Sequence, residues 1–234
     1  MATILLIHGA YLGGWSWTRV AAALRAQGHH VLAPTLEGCA ERAHALRPGI
    51  TAETHAAELA GLLFHEDLSD VVAVGTSTGG MVMARLAEIA RPRLRRLVFA
   101  DALALQDGEK LSDFLQRPKA ITTALSTVPS REDAEGRLFA DMDPELRAWT
   151  LTRMTPHPVA AMEGPVVLPE FWQSAWPKTA VIVCTRSTNP PLSHQRRIRD
   201  AFGASWAEID TGHYPFLTTP EELARLIMVP DELC

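Results

Sequence analysis

The sequence predicts an α/β fold, a mostly parallel six-stranded sheet flanked by helices. Three observations predict it. Short apolar, β-branched runs alternate with helix-patterned segments from the N-terminus to Asp101. The alternation lapses after residue 104 and resumes at the run Ala180 to Thr185. Between one apolar run and one helix stands the pentapeptide Gly75-Thr76-Ser77-Thr78-Gly79. Continuous apolar strands separated by helices are buried on both faces, which is the pattern of a parallel sheet.

The elements follow in order. Thr3 to Ile7 is a short buried strand, and Trp17 to Gln27 is a helix closed by Gly28. His30 to Pro34 is the next strand, and Thr51 to Leu63 a helix with Thr51 as N-cap. Val71 to Val74 is a strand, Gly80 to Ile89 a helix, and Arg96 to Asp101 another strand. Residues 105–169 lack a clear buried strand; amphipathic helices are expected over Lys110 to Arg117, Arg131 to Phe139 and Pro144 to Arg153, punctuated by prolines. This stretch is expected to be a small helical cap inserted into a core of residues 1–104 and 170–234. The core then ends with the strand Ala180 to Thr185, the helix Leu192 to Ala201, the strand Trp206 to Asp210 and the helix Pro220 to Ile227.

Composition narrows the function classes. A net charge of −5 and the lack of a long basic run argue against a nucleic acid partner. Arg93, Arg95 and Arg96, beside a strand start, read as a solvated surface. The three cysteines, Cys39, Cys184 and Cys234, have no metal-ligand spacing and fit a reducing compartment, with Cys184 a buried apolar filler. The N-terminal segment has neither the basic start nor the long apolar stretch of a signal peptide or membrane anchor, so no membrane partner and a cytoplasmic location are expected. No metal or other cofactor is expected, and a homodimer is left open.

The chemistry concentrates at Ser77. In a strand-turn-helix context, Gly-x-Ser-x-Gly lifts the serine out at a helix N-terminus, where the dipole and free N–H groups favour negative charge. Glycines at positions −2 and +2 remove side chains that would collide in so tight a turn. His213 follows the last strand and precedes the last helix. Its loop lies at the same sheet edge, where an imidazole can take the serine proton and return it to the leaving group. His8-Gly9-Ala10-Tyr11 follows the first strand. The N–H groups of Ala10 and Thr78 are the expected oxyanion donors, each worth roughly 3 kcal/mol if removed. His8 is read as fixing that loop. Tyr11, Trp15, Trp149 and Tyr214 are expected to shape an apolar substrate pocket.

These residues resemble the α/β-hydrolase superfamily, and within it the branch of plant-type methylesterases and hydroxynitrile lyases with their bacterial relatives. The resemblance rests on Leu5-Leu6-Ile7-His8-Gly9-Ala10, Gly13-Gly14-Trp15-Ser16-Trp17, the elbow from Gly75 to Gly80, and Gly212-His213. It covers nearly the whole chain except the cap. Hydroxynitrile lyases of this fold carry a threonine after the first-loop histidine and a lysine after the catalytic one. Here those places hold Gly9 and Tyr214, so the resemblance implies ester hydrolysis rather than cyanohydrin cleavage.

The family's third triad member usually sits two residues past Thr185, where this chain has Ser187. Asp101, at the end of the strand after the nucleophile helix, stands where certain haloalkane dehalogenases carry the acid. Asp101, Ser187, Asn189 and, less favoured by direction, Asp210 remain alternatives for orienting His213. The reading is a serine hydrolase that cleaves a small, largely apolar carboxylic ester through an acyl-serine intermediate, with Ser77, His213 and Asp101 as the catalytic set. The rivals are a lyase or carbon–carbon bond hydrolase on the same scaffold, and a hydrolase-like ligand binder without catalysis.

Overall fold

A computed structural model describes residues 1–115, 120–176 and 178–229. The core elements in chain order are β1 (Thr3–Ile7), α1 (Thr18–Ala26), β2 (His30–Leu32), α2 (Ala52–His65), β3 (Val71–Ser77), α3 (Gly79–Ile89) and β4 (Leu94–Ala102). The middle segment holds β5 (Ala120–Thr122), β6 (Ser126–Pro129), α4 (Arg131–Asp133), α5 (Pro144–Leu151), β7 (His157–Pro158) and α6 (Val159–Glu163). The core resumes with β8 (Thr179–Cys184), α7 (Leu192–Phe202), β9 (Ser205–Ile209), α8 (Pro215–Thr218) and α9 (Pro220–Ile227).

Six strands form one sheet in the order β2-β1-β3-β4-β8-β9, and every pairing is parallel. Side chains alternate between two cores. Leu5, Ile7, Ala73, Phe99 and Val181 face α2 and α3, against Leu59, Leu63, Met83 and Leu86. Ile4, Leu6, Val72, Val74, Val98 and Ile182 face α1 and α9, against Trp17, Leu24, Leu223 and Ile227. Each such Val, Leu, Ile or Phe side chain contributes about 1.5–3 kcal/mol of burial. Thr51 caps α2 as expected, in a reciprocal box with Thr54. Cys184 packs in the second core as a free, buried thiol, while Cys234 lies outside the described residues.

Two expectations change. Arg96 is not on a solvated surface: it is 7% exposed and its Nη1 donates to the Ile227 carbonyl at 2.9 Å. The strand places it under α9, where a backbone carbonyl accepts from one guanidinium nitrogen. The middle segment is not helical throughout. It carries a three-stranded antiparallel sheet, β5-β6-β7. Of its expected helices, the first is a 3-10 turn at Leu111–Asp113, and its expected end, residues 116–117, lies outside the described residues. The second is α4 running into a π-helical turn at Ala134–Leu138. The third is α5, whose N-terminus Asp143 caps through Leu146 N–H at 2.9 Å. Among the described residues no helix is long and apolar enough to cross a membrane.

Candidate active site

In a parallel sheet all strands point the same way, so the loops after β1, β3, β4, β8 and β9 gather at one edge. The turn after β3 presents Ser77 with φ +50°. That left-handed conformation costs a non-glycine residue on the order of 1–3 kcal/mol, and the surroundings hold it there. The crowding is direct. A Cβ on Gly75 would come within 2.8 Å of the Gly79 carbonyl oxygen, and one on Gly79 within 2.6 Å of the Ile7 carbonyl oxygen. A Cβ on Gly9 would meet the Ser77 Cβ at 2.7 Å, so the loop after β1 passes hard against the serine. A threonine at position 9 has no room in this arrangement.

His8 anchors that loop. Its Nδ1 lies 2.8 Å from the Gly9 carbonyl oxygen, and its Nε2 accepts the Leu36 N–H at 3.1 Å. Nε2 as acceptor makes Nδ1 the protonated nitrogen. Burial pushes His8 down to about 4, so the ring is neutral at physiological pH. Ala10 and Tyr11 are thereby set in the wall of a cavity that also contains Ser77, Thr78 and His213. Among the described residues, neither the Ala10 nor the Thr78 amide is engaged in a loop, turn or cap hydrogen bond.

On the other side of the serine, His213 Nδ1 and Asp101 Oδ2 are 2.7 Å apart. Asp101 is wholly buried, at the end of β4 with φ +47°. Its Oδ1 accepts from Gln195 Nε2 at 2.8 Å and from the Cys184 N–H at 3.4 Å. A carboxylate on Nδ1 leaves Nε2 of His213 as the proton acceptor. The other three groups considered for this task face elsewhere. Ser187 Oγ donates to the Asn189 carbonyl at 2.9 Å, within its own loop. Asn189 contributes to the cavity wall instead. Asp210 pairs with Thr185 Oγ1 at 3.3 Å and Arg186 at 3.4 Å, on the outside.

The cavity is tight, with about 40 Å³ of room for the centre of a water-sized sphere. Leu103, Leu111, Leu115, Leu138 and Met162 make it largely apolar. Asp133 and Arg137, joined at 2.8 Å, and Asn189 supply its polar side. Of the four aromatic residues expected to shape it, Tyr11 lines it. Trp15 and Trp149 do not; they pack edge-to-face on each other, ring centroids 5.2 Å apart. Tyr214 is buried against Phe139 at 4.9 Å and lies beside His213 at 5.0 Å. It borders a wider outer groove rather than the inner cavity. The missed lining residues carry little signal in the sequence: Leu111 and Leu115 stand at the i,i+4 spacing common to packed helices, and Asp133 and Arg137 at that of surface ion pairs. Among the described residues no group of three or more His, Cys, Asp or Glu could hold a metal ion.

A parallel sheet with its reactive polar groups gathered at the carboxyl edge defines an α/β enzyme with a small-molecule pocket. The comparison with known families makes the class particular. The chain matches the alpha/beta hydrolase family over residues 4–226 and belongs to it. A carbendazim hydrolyzing esterase of Nocardioides sp. (strain SG-4G) is 33% identical over 240 residues, covering 96% of this chain and 98% of the relative. Methylesterase 3 of Arabidopsis thaliana is 24% identical over 254 residues, covering 96% and 94%. In fold, the chain superposes on an extracellular alpha/beta-hydrolase from a Paenibacillus species with a TM-score of 0.80 at 22% identity, covering 97% and 98%. With these relatives the protein is a carboxylic ester hydrolase.

Proposed function

We propose that the protein hydrolyses a small, largely apolar carboxylic ester through an acyl-serine intermediate, with Ser77, His213 and Asp101 as its catalytic set. The observation that carries this reading is the 2.7 Å contact of His213 with Asp101, in a histidine that shares a cavity wall with Ser77. In the first step Ser77 Oγ attacks the ester carbonyl as His213 Nε2 takes its proton. Asp101 holds the imidazole in the Nδ1–H tautomer and balances the positive charge that forms. The Ala10 and Thr78 N–H groups receive the oxyanion, aided by the N-terminus of α3. His213 then protonates the departing alcohol. Water then attacks the acyl carbon while giving a proton to the same nitrogen, and the acyl–Oγ bond breaks as His213 returns that proton to Ser77 Oγ, releasing the acid.

The substrate class follows from the wall: leucines and a methionine favour an apolar group, and the cavity size favours a small one. Residues 105–169 act as the cap, supplying Leu111, Leu115, Arg137 and Met162 to that wall. Carbendazim, by the likeness to its hydrolyzing esterase, belongs in the substrate screen beside aryl esters of graded acyl length. A cytoplasmic location is in keeping with Cys39 and Cys184, both buried and free.

Ser77→Ala tests the reading. Ester turnover and labelling by a fluorophosphonate probe should both vanish while the circular dichroism stays native. Turnover that survives the substitution removes Ser77 from the chemistry; a wild-type protein that binds esters, is never labelled and never turns over is a binder.

A further inference from the structure

Asp101 has two carboxylate oxygens with different neighbours. Oδ2 faces His213. Oδ1 receives the Gln195 Nε2–H at 2.8 Å and, more distantly, the Cys184 N–H at 3.4 Å. A carboxylate is an acceptor, so the glutamine must turn its nitrogen toward it. Gln195 lies on α7 and is 3% exposed. It touches neither the cavity wall nor the outer groove. Its own Oε1 is buried and has no hydrogen-bond partner among the described residues. A buried, unpaired carbonyl is a standing cost. The side chain tolerates it while its amide points at the acid.

We infer that Gln195 is a positioning residue for this reaction, holding the carboxylate of Asp101 aligned on His213. This rests on the reading of Ser77, His213 and Asp101 given above. Two effects follow from the one hydrogen bond. It fixes the rotation of the carboxylate about Cβ–Cγ, so that Oδ2 stays on Nδ1. It also stabilises negative charge on a group with no access to water, which a charged acid at zero exposure requires. The acid of this chain stands on β4, inside the sheet edge, and α7 crosses close enough to supply a donor.

The groups around the pair are few. Cys184 and Tyr214 stay neutral, both pushed up chiefly by burial. Asp141 packs against Gly212, one residue before His213. Asp133 and Arg137 form their own pair across the cavity. On α7, burial pushes His194 down, and Arg197 is held by Glu109 at 2.7 Å. No side chain among these donates to Asp101 in the described hydrogen bonds; the Cys184 contribution is its backbone N–H.

The test is Gln195→Met, which keeps length and removes the donor. Active sites are first counted by a burst titration, so that misfolded protein does not enter the rate. Per active site, kcat should fall about ten- to a hundredfold, on the scale of orienting groups in a triad, with KM within about twofold. The acid limb of kcat/KM should move to higher pH. Losing the donor disfavours the pair with net negative charge, so the pair binds its proton more readily. Gln195→Glu is the second variant, close in shape: its introduced carboxyl donates only when protonated, so activity should fail as pH rises. Unchanged kcat per site with an unmoved acid limb overturns the inference, as does a loss of rate explained wholly by fewer titratable sites. If Ser77→Ala is inactive while Gln195→Met is normal, this inference alone has failed; an active Ser77→Ala would bring down the reading beneath it.

Discussion

The carboxyl ends of β4 and β8 are neighbours in the sheet, paired from Leu97–Thr179 to Ala100–Ile182. One ends in Asp101, buried and bonded to His213. The other leads into Arg186, Ser187 and Asn189, with no carboxylate before Asp200. The family pattern puts the acid on the second; this chain brings one to the histidine from the first. The difference teaches that the parallel sheet fixes an edge and not an address. Adjacent strand ends lie about 4.8 Å apart, so either can hold a side chain to the same imidazole. What the site needs is a buried acceptor with its own hydrogen-bond donors, and the β4 end has these in Gln195 and the Cys184 amide.

Four experiments bear on this comparison. Asp101→Asn has the largest expected effect. It should lower kcat by roughly a hundredfold or more, in line with the ~10⁴ loss for an amide in a triad acid position. A drop below about threefold, small on the same scale, would return the task to the β8 loop. A transplant sharpens the point. Asp101→Asn combined with Ser187→Asp should regain roughly tenfold over the single variant, the smaller share expected of a triad member in an unprepared setting. No recovery would mean that the β8 loop now lies out of reach.

The loop after β1 offers a contrast, because there a histidine does the holding. Burial keeps His8 at about 4 against an ordinary 6.5. Between those values the unfolded chain takes up a proton that the folded chain refuses, so stability falls as pH falls. His8 alone should account for about 1 kcal/mol lost between pH 7 and pH 5.5. Urea titrations at the two pH values would measure it, and equal midpoints would contradict a neutral, buried His8. The smallest effect belongs to Ser187→Ala, expected to change kcat less than about twofold because its hydroxyl serves its own loop. A tenfold loss there, large on that scale, would show that the β8 loop still steers the imidazole.

Much of this arrangement was legible in the residues. The strands are runs such as Val71-Val72-Ala73-Val74, whose burial on both faces leaves them no polar positions to disguise the pattern. Ser77 and His213 were legible because turn glycines and chain order mark them. The acid was legible only as the favoured one of several candidates, Asp101 ahead of Ser187, Asn189 and Asp210, since a single sequence does not say which strand end turns inward. The sheet of β5, β6 and β7 was missed because strands of two to four residues such as Ser126-Thr127-Val128-Pro129 are too short to show a period. Trp15 and Trp149 misled for another reason. Aromatic rings close in sequence to a site are as well used in packing as in lining, and only the path of α5 decides between them.

Asp101 on β4 has one more consequence, for how this enzyme could be remodelled. With Asp101 as the proposed acid, the segment from Arg186 to Asn189 is left without proton chemistry, yet it borders the outer groove, and Asn189 the inner cavity. Reshaping of acceptance is thereby uncoupled from the machinery. A library diversified at residues 186–188 should yield altered ester preferences with the burst of acylation intact, a freedom denied to relatives whose acid occupies that stretch.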